Sequence, residues 1–379
     1  MALIPRPLTR RRLRTLGAVA PALAALAGVI VWFAGSEERA LDEACDGVLP
    51  VSDVRAVLGD DDTDVTNHTE GSFDGGGGSE RGNSLSVRCE VKTESGGSLT
   101  VTIAGSPRPS SEYGNGELYA ALPSRDTLPV PLGHGWAGLF ATDSARLGDG
   151  EDGEATTAVL LPCAKGGDSL LITVDTALGR EVTLDDPANR PDFVRTATAT
   201  AEAANEHWDC GARLGTPVRD VDLPVNEDEY EPLIGARGTC AGVPTASRSA
   251  VSTARETARE GAPREICALG ARDGSPRYRL EAYYGPYAED ARSQFTRDYD
   301  YENVTPAEKA AGRLGKSAYW AGATCPEGAE SALYLIRADD ADGDARRSPD
   351  LAYERAALKA FATRSAGHHG CAAPSLPGG

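Results

Sequence analysis

The chain has 379 residues, with 38 Lys and Arg against 57 Asp and Glu, a formal net charge of −19. Five of the arginines lie in the first 15 residues, which leaves 33 basic against 57 acidic side chains, about −24, on everything after them. That balance excludes nucleic acid and anionic lipid headgroups as partners of the main body.

The first 15 residues contain Arg6, Arg10, Arg11, Arg12 and Arg14 and no acid, and Leu16 to Gly35 is 20 residues without a charge. At 1.5 Å per residue such a helix covers roughly 30 Å, the hydrocarbon thickness of a bilayer. The basic leader 1–15 is expected in the cytoplasm and the acidic chain beyond Gly35 outside it, because Lys and Arg stay on the cytoplasmic side. Trp32 and Phe33 stand where interfacial aromatics belong, and Pro21 is tolerated inside a membrane helix. A cleaved signal peptide has a shorter apolar region and a small-x-small site, for which Ala34-Gly35-Ser36 is a loose match. Leu41-Asp-Glu-Ala-Cys45 has two acids in the small or apolar positions of a lipoprotein box. Residues 16–35 are therefore read as an uncleaved signal anchor in the lipid bilayer.

Beyond the anchor the same order of features occurs twice. Cys45, Cys89, Cys163 and Cys210 are followed by Cys240, Cys267, Cys325 and Cys371. An even number of cysteines in an exported chain points to structural disulfides. Ala44-Cys45-Asp-Gly-Val-Leu-Pro50 opens the first half and Thr239-Cys240-Ala-Gly-Val-Pro244 the second. Each opening is followed by a helical pattern, Val54/Val57/Leu58 before Gly59, and Ala250/Val251/Ala254/Ala258. The loop 60–83, with Gly75 to Gly78, and the loop 147–158 are too polar and glycine-rich for ordered structure.

The second cysteine of each half leads into alternating strands: Leu99, Val101 and Ile103 in one, Tyr278, Leu280 and Ala282 in the other. Period two with one polar side predicts a sheet covered on one face. Gly135-Trp136-Ala-Gly138 is matched to Tyr319-Trp320-Ala-Gly322. The third cysteine precedes a further strand, Ser169 to Val174 and Ala332 to Ile336.

A helix then starts at Pro191-Asp192 or Pro349-Asp350, where proline and an acid suit the unpaired amides of a first turn. Phe193, Ala197, Ala201, Ala204 and Trp208 share one helical face, as do Tyr353, Ala356, Ala357, Ala360 and Phe361. Fixed-order self-similarity of this kind predicts two homologous modules, 41–211 and 235–373. They are joined by an acidic, proline-rich linker, 212–234, read as an extended spacer. The fold class expected is α+β: one N-terminal transmembrane helix, then two modules, each an antiparallel sheet with helices on one face.

Eight cysteines allow 105 connectivities, and nine if pairing stays within modules. Among these the expected set is Cys45–Cys89, Cys163–Cys210, Cys240–Cys267 and Cys325–Cys371. Each bridge contributes on the order of 3–4 kcal/mol through loop entropy.

The basic leader and apolar segment, Cys45-Asp-Gly-Val-Leu-Pro50, Arg88-Cys89-Glu90 and Trp208-Asp-Cys210 together resemble the membrane-anchored extracytoplasmic proteins of actinobacteria, Streptomyces-like, whose function is unassigned. Abundant Arg, Ala and Gly fit such a high-GC bacterial source. The resemblance implies a compact α/β domain and carries no catalytic residue with it; the missing lipobox departs from the lipid-linked members.

Candidate chemistry is sparse. His207 and His368 each stand three residues before a cysteine, a spacing that suits metal ligands, but a disulfide consumes the sulfur. Cations in a last helical turn are favourable in any case. The acidic runs at Asp60 and Asp340 put Val65 and Gly71, or Ala345 and Leu351, where a calcium loop needs glycine and glutamate. Gly315-Lys316-Ser317 ends like a phosphate loop, yet Ala310 stands where its first glycine belongs. Trp136 and Trp320 read as core residues. No catalytic, cofactor or metal residue is assigned. The function expected is a binding or scaffold protein of the cell envelope with an unknown envelope protein or ligand as partner. The alternative is a cell-envelope hydrolase.

Overall fold

The structure is a computed structural model that describes residues 38–73, 85–106, 127–142, 154–164, 169–178, 187–226, 228–285, 287–288, 291–292, 310–314, 318–325, 331–339 and 348–378. The first module contains helix α1 (Val51–Leu58), strands β1 (Thr63–Glu70), β2 (Leu85–Thr93), β3 (Ser98–Ser106), β4 (Val130–Pro131), β5 (Gly138–Thr142), β6 (Glu154–Pro162) and β7 (Ser169–Ala177), and helix α2 (Arg190–His207). The second contains β8 (Glu231–Pro232), β9 (Thr253–Glu256), β10 (Arg264–Gly270), β11 (Pro276–Tyr283), β12 (Ala311–Arg313), β13 (Ala318–Thr324), β14 (Ser331–Ala338) and helix α3 (Leu351–His368). Two seven-stranded antiparallel sheets result, ordered β1-β2-β3-β7-β6-β5-β4 and β12-β13-β14-β11-β10-β9-β8.

Each sheet has a helix-facing side set by strict alternation. In the first, Leu99, Val101 and Ile103 are fully buried with Ile172 and Val174 against Phe193, Val194, Ala197 and Ala201 of α2. In the second, Leu280, Ala321, Tyr334 and Ile336 pack on Ala357, Leu358 and Phe361 of α3. α2 starts with proline in its first turn. α3 starts at Asp350, whose carboxylate accepts from the Tyr353 N–H at 3.2 Å, a normal N-cap bond.

The opposite sides of the sheets also meet. Ala158, Leu160 and Leu171, on the alternate parity of β6 and β7, share one buried cluster with Tyr283, Trp320, Leu333 and Leu335. The layers therefore run helix, sheet, sheet, helix.

This arrangement corrects the expected fold class. No helix among the described residues is long and apolar enough to cross a membrane, and the leader 1–15 and segment 16–35 lie outside those residues. The sheets are not covered on one face only. Runs such as Ala158-Val-Leu-Leu161 and Leu333-Tyr-Leu-Ile336 are apolar at both parities because both faces are buried.

Three local expectations are corrected as well. The helix expected around Ala250 to Ala258 is a β-bridge, Ala246 to Val251, followed by strand β9. The loops expected at 60–83 and 147–158 contain strand β1 and the start of β6. The spacer is not solvated throughout: Val218 and Val221 are buried in the first core, and the Arg190 guanidinium donates to the Val221 carbonyl at 2.7 Å.

Four disulfides form, in the expected pairs: Cys45–Cys89, Cys163–Cys210, Cys240–Cys267 and Cys325–Cys371. The first bridge of each module ties the opening turn to a strand of its sheet, β2 in the first and its counterpart β10 in the second. The second ties the end of the closing helix to the strand end beside it. The N–H of the first cysteine is bonded alike, Cys45 to Asn67 Oδ1 at 3.0 Å and Cys240 to Glu256 Oε2 at 2.7 Å.

Candidate functional site

The densest polar cluster lies between β10 and the C-terminal end of α3. Glu265 follows the parity of Cys267 and Leu269, so β10 aims it at the helix, where it is 2 % exposed. Ser365, on the inner stripe of α3, donates its hydroxyl to Glu265 Oε2 at 2.8 Å. His369, the residue capping α3, places Nε2 2.9 Å from Glu265 Oε1, and Arg259 Nε stands 3.1 Å from Oε2. The Tyr284 ring stacks on His369 at 3.6 Å between centroids, and its hydroxyl meets Ser365 Oγ.

Burial pushes the Glu265 carboxyl up, but the His369 hydrogen bond and the Arg259 and His369 charges outweigh it and hold it below the usual range. Burial and the neighbouring Glu265 charge push the Tyr284 phenol up, so it stays protonated. Tyr334 is pushed up to about 12 by burial.

The order of contacts decides what this cluster can do. In nucleophilic catalysis the imidazole stands between acid and hydroxyl and takes the hydroxyl's proton. Here the carboxylate stands in the middle: Nε2 is occupied by Glu265, and the base that Ser365 faces is Glu265 itself, whose lowered pKa makes it a weak one. Arginine, imidazole and hydroxyl saturate the carboxylate, as a buried charge requires. The cluster binds β10, the Arg259 loop and the end of α3 together beside the Cys325–Cys371 bridge. Two cavities among the described residues, about 610 Å³ along Thr245–Ser252 and Ala271–Asp273 and about 230 Å³ beside Trp320 and Gly322, are lined by other residues.

The first module has no counterpart. Cys89 pairs with Val101 and Val101 with Val174, as Cys267 pairs with Leu280 and Leu280 with Ile336. Counted from these pairs and from Cys210 and Cys371, Glu265 corresponds to Val87, Tyr284 to Gly105, Tyr334 to Ile172, Ser365 to Ala204 and His369 to Trp208. At Gly105 an added Cβ would lie 2.5 Å from the Phe73 ring, which fills that space.

A second buried charge group faces the other sheet. Glu281, fully buried, meets Arg264 Nη2 at 2.7 Å, Arg337 Nε at 3.1 Å and Arg279 Nε at 3.4 Å. Burial raises its pKa, yet the three guanidinium charges prevail and hold it far below the carboxylate range.

The residues singled out from sequence are scattered. His207 is exposed and lies edge-on to Trp208 at 4.7 Å, and His368 is exposed. Cys210 and Cys371 are in disulfides. Among the described residues no three His, Cys, Asp or Glu side chains form a metal-sized group. Trp136 is buried, with its indole N–H donating to the Thr216 carbonyl at 3.0 Å. Trp320 lies between the sheets. The two tryptophans are not equivalent, which corrects the match between them. β13 corresponds to β6, placing Trp320 opposite Ala158, whereas Trp136 precedes β5. Asp340–Asp344 and Gly315–Ser317 lie outside the described residues.

Sequence reasoning missed Glu265, Ser365 and His369 as a group. The available signal was an acid at the inward parity of a strand, two residues before a buried cysteine, where the first half has Val87. No protein family, curated protein or solved structure matches the chain.

Proposed function

We propose that this protein is a non-enzymatic binding or scaffold protein of the bacterial cell envelope, built from two copies of one four-cysteine module. The observation that carries this reading is the closed state of the Ser–His–Glu cluster at Glu265. Every partner of Glu265 serves to hold the carboxylate, and neither cavity reaches it. Four disulfides support an oxidising, extracytoplasmic setting. Six strands in a common order, β1-β2-β3-β7-β6-β5 and β9-β10-β11-β14-β13-β12, and the common cysteine placement support the duplication. A body of two sheets between two helical layers, bridged four times, suits a rigid platform rather than a closing active site.

The test offers the purified protein peptidoglycan fragments and, separately, a cross-linker in the presence of envelope extract. The expected result is one reproducible cross-linked partner and no turnover. Turnover that disappears in Ser365→Ala would overturn the reading in favour of an envelope hydrolase.

A further inference from the structure

Glu354 lies in the first turn of α3, on the stripe that also holds Tyr353, Ala357, Leu358 and Phe361, and has 0 % exposure. Neither carboxylate oxygen has a hydrogen bond of good geometry, and the Tyr278 hydroxyl gives the carboxylate only a weak one. A carboxylate left this way pays its full desolvation, so the neutral acid is the form that fits. The contrast with Glu265 and Glu281 is direct, since each of those is surrounded by donors and cations.

The surroundings of Glu354 are mixed. β11 presents Tyr278, whose ring lies 5.6 Å from that of Tyr353. β12 presents Arg313 and β13 presents Tyr319, under that guanidinium at 5.9 Å. β14 presents Ile336 and Ala338, which do not titrate. Asp350 caps the helix immediately before it. Burial raises the Glu354 pKa, Arg313 and Tyr278 oppose the rise, Asp350 adds to it, and the balance stands at about 7. The next residue, Arg355, holds the C-terminal tail through the Gly378 carbonyl at 3.3 Å. That tail runs along β13, with Ala372 N–H on Thr324 O and Ser375 N–H on Gly322 O, both at 2.8 Å.

We propose that Glu354 is a proton-operated latch: neutral, it lets the first turns of α3 and the C-terminal tail dock on the second sheet, and ionised, it loosens both. The sign follows from linkage. An acid whose folded pKa is raised stabilises the docked state fully below its unfolded value of 4.5 and loses that contribution as pH rises through about 7. The device responds between mildly acidic and neutral surroundings, independently of what the protein binds.

Two measurements on the full chain test it. Carbon-13 NMR of glutamate-labelled protein follows the Glu354 carboxyl, identified by its loss in Glu354→Gln. Amide exchange follows Leu351 to Leu358 and Ala372 to Ser375. Expected are a carboxyl titrating near neutrality and an opening equilibrium that rises on the order of tenfold between pH 5.5 and 8. Glu354→Gln and Glu354→Leu should remove that rise. A carboxyl ionised throughout this range, or a rise that persists in either variant, would sink the proposal. If neither variant folds, the Glu354 carboxyl is assigned in the wild type through its bonded correlation to the backbone, and its titration decides.

Discussion

The two modules share six strands in the same order and place their cysteines alike, yet fill the layer between sheet and closing helix with opposite materials. The first uses Val87, Ile172, Ala204, Trp208 and Phe73 over Gly105. The second uses Glu265, Tyr334, Ser365, His369 and Tyr284. The comparison teaches that one scaffold accepts either an apolar layer or a charged one, provided the charged one is saturated. Half a network would be worse than none, because a buried carboxylate without its cations is expensive.

The largest effect expected from breaking this contrast is at Glu265. Glu265→Val alone puts the first module's residue into the second and strands Arg259 and His369. It should cost about 3–5 kcal/mol in denaturant unfolding. The triple change Glu265→Val, Ser365→Ala, His369→Trp rebuilds the apolar layer and should cost clearly less. Equal losses for the single and triple variants would show that the two layers are not interchangeable.

Next in size is the contact between the sheets. Trp320→Ala opens a cavity in the cluster shared by both modules and should cost about 3–5 kcal/mol. Ala158, its counterpart in the first module, has no such bulk to lose. If Trp320→Ala lowers the unfolding midpoint of the second module only, the sheets do not fold as one unit.

A smaller effect separates the buried acids by pH. Glu265, held below its unfolded value of 4.5, contributes stability above that pH and loses it as pH falls through the lower folded value. Glu354 has the opposite sign and weakens α3 as pH rises through about 7. Urea midpoints between pH 3 and 8 should therefore peak on the acid side of neutrality. Glu354→Gln should flatten the neutral limb and leave the acid limb in place.

The smallest is the cap. Asp350→Ala removes the bond to the Tyr353 N–H and should cost about 1 kcal/mol. It also removes a charge that disfavours ionised Glu354, so its effect should shrink at pH 8.

Much of each module could be read without a structure. Both closing helices and the strands β3, β7, β11 and β14 follow from local signals, an acid and proline in a first turn and period-two alternation; the matched order of the cysteines left nine within-module pairings, and the expected set is the one that forms. β1 was not legible as a strand. It is an edge strand in which only Thr63 and Val65 are half-buried and the rest is exposed on both faces, and Thr63–Glu70 therefore lacks the apolar alternation that marks a covered sheet. β9 was misread because small residues such as Ala250 and Ala254 suit a helical stripe as well as a strand. The stripe of α3 was legible in Tyr353, Ala357 and Phe361, but its inner face also carries Glu354 and Ser365 while Ala356 faces outward.

By itself the sequence determined the matched order of the cysteines, the starts of the closing helices and the strand alternation, because these rest on neighbours within a few residues or on matched spacing. Only the tertiary structure decided that the sheets pack back to back and that Glu265 meets Ser365 and His369, 100 and 104 positions away. It also decided that Glu354 is buried without a hydrogen bond of good geometry. Those outcomes depend on which side chains arrive from distant strands, and a buried charge is stabilised or penalised by those arrivals alone.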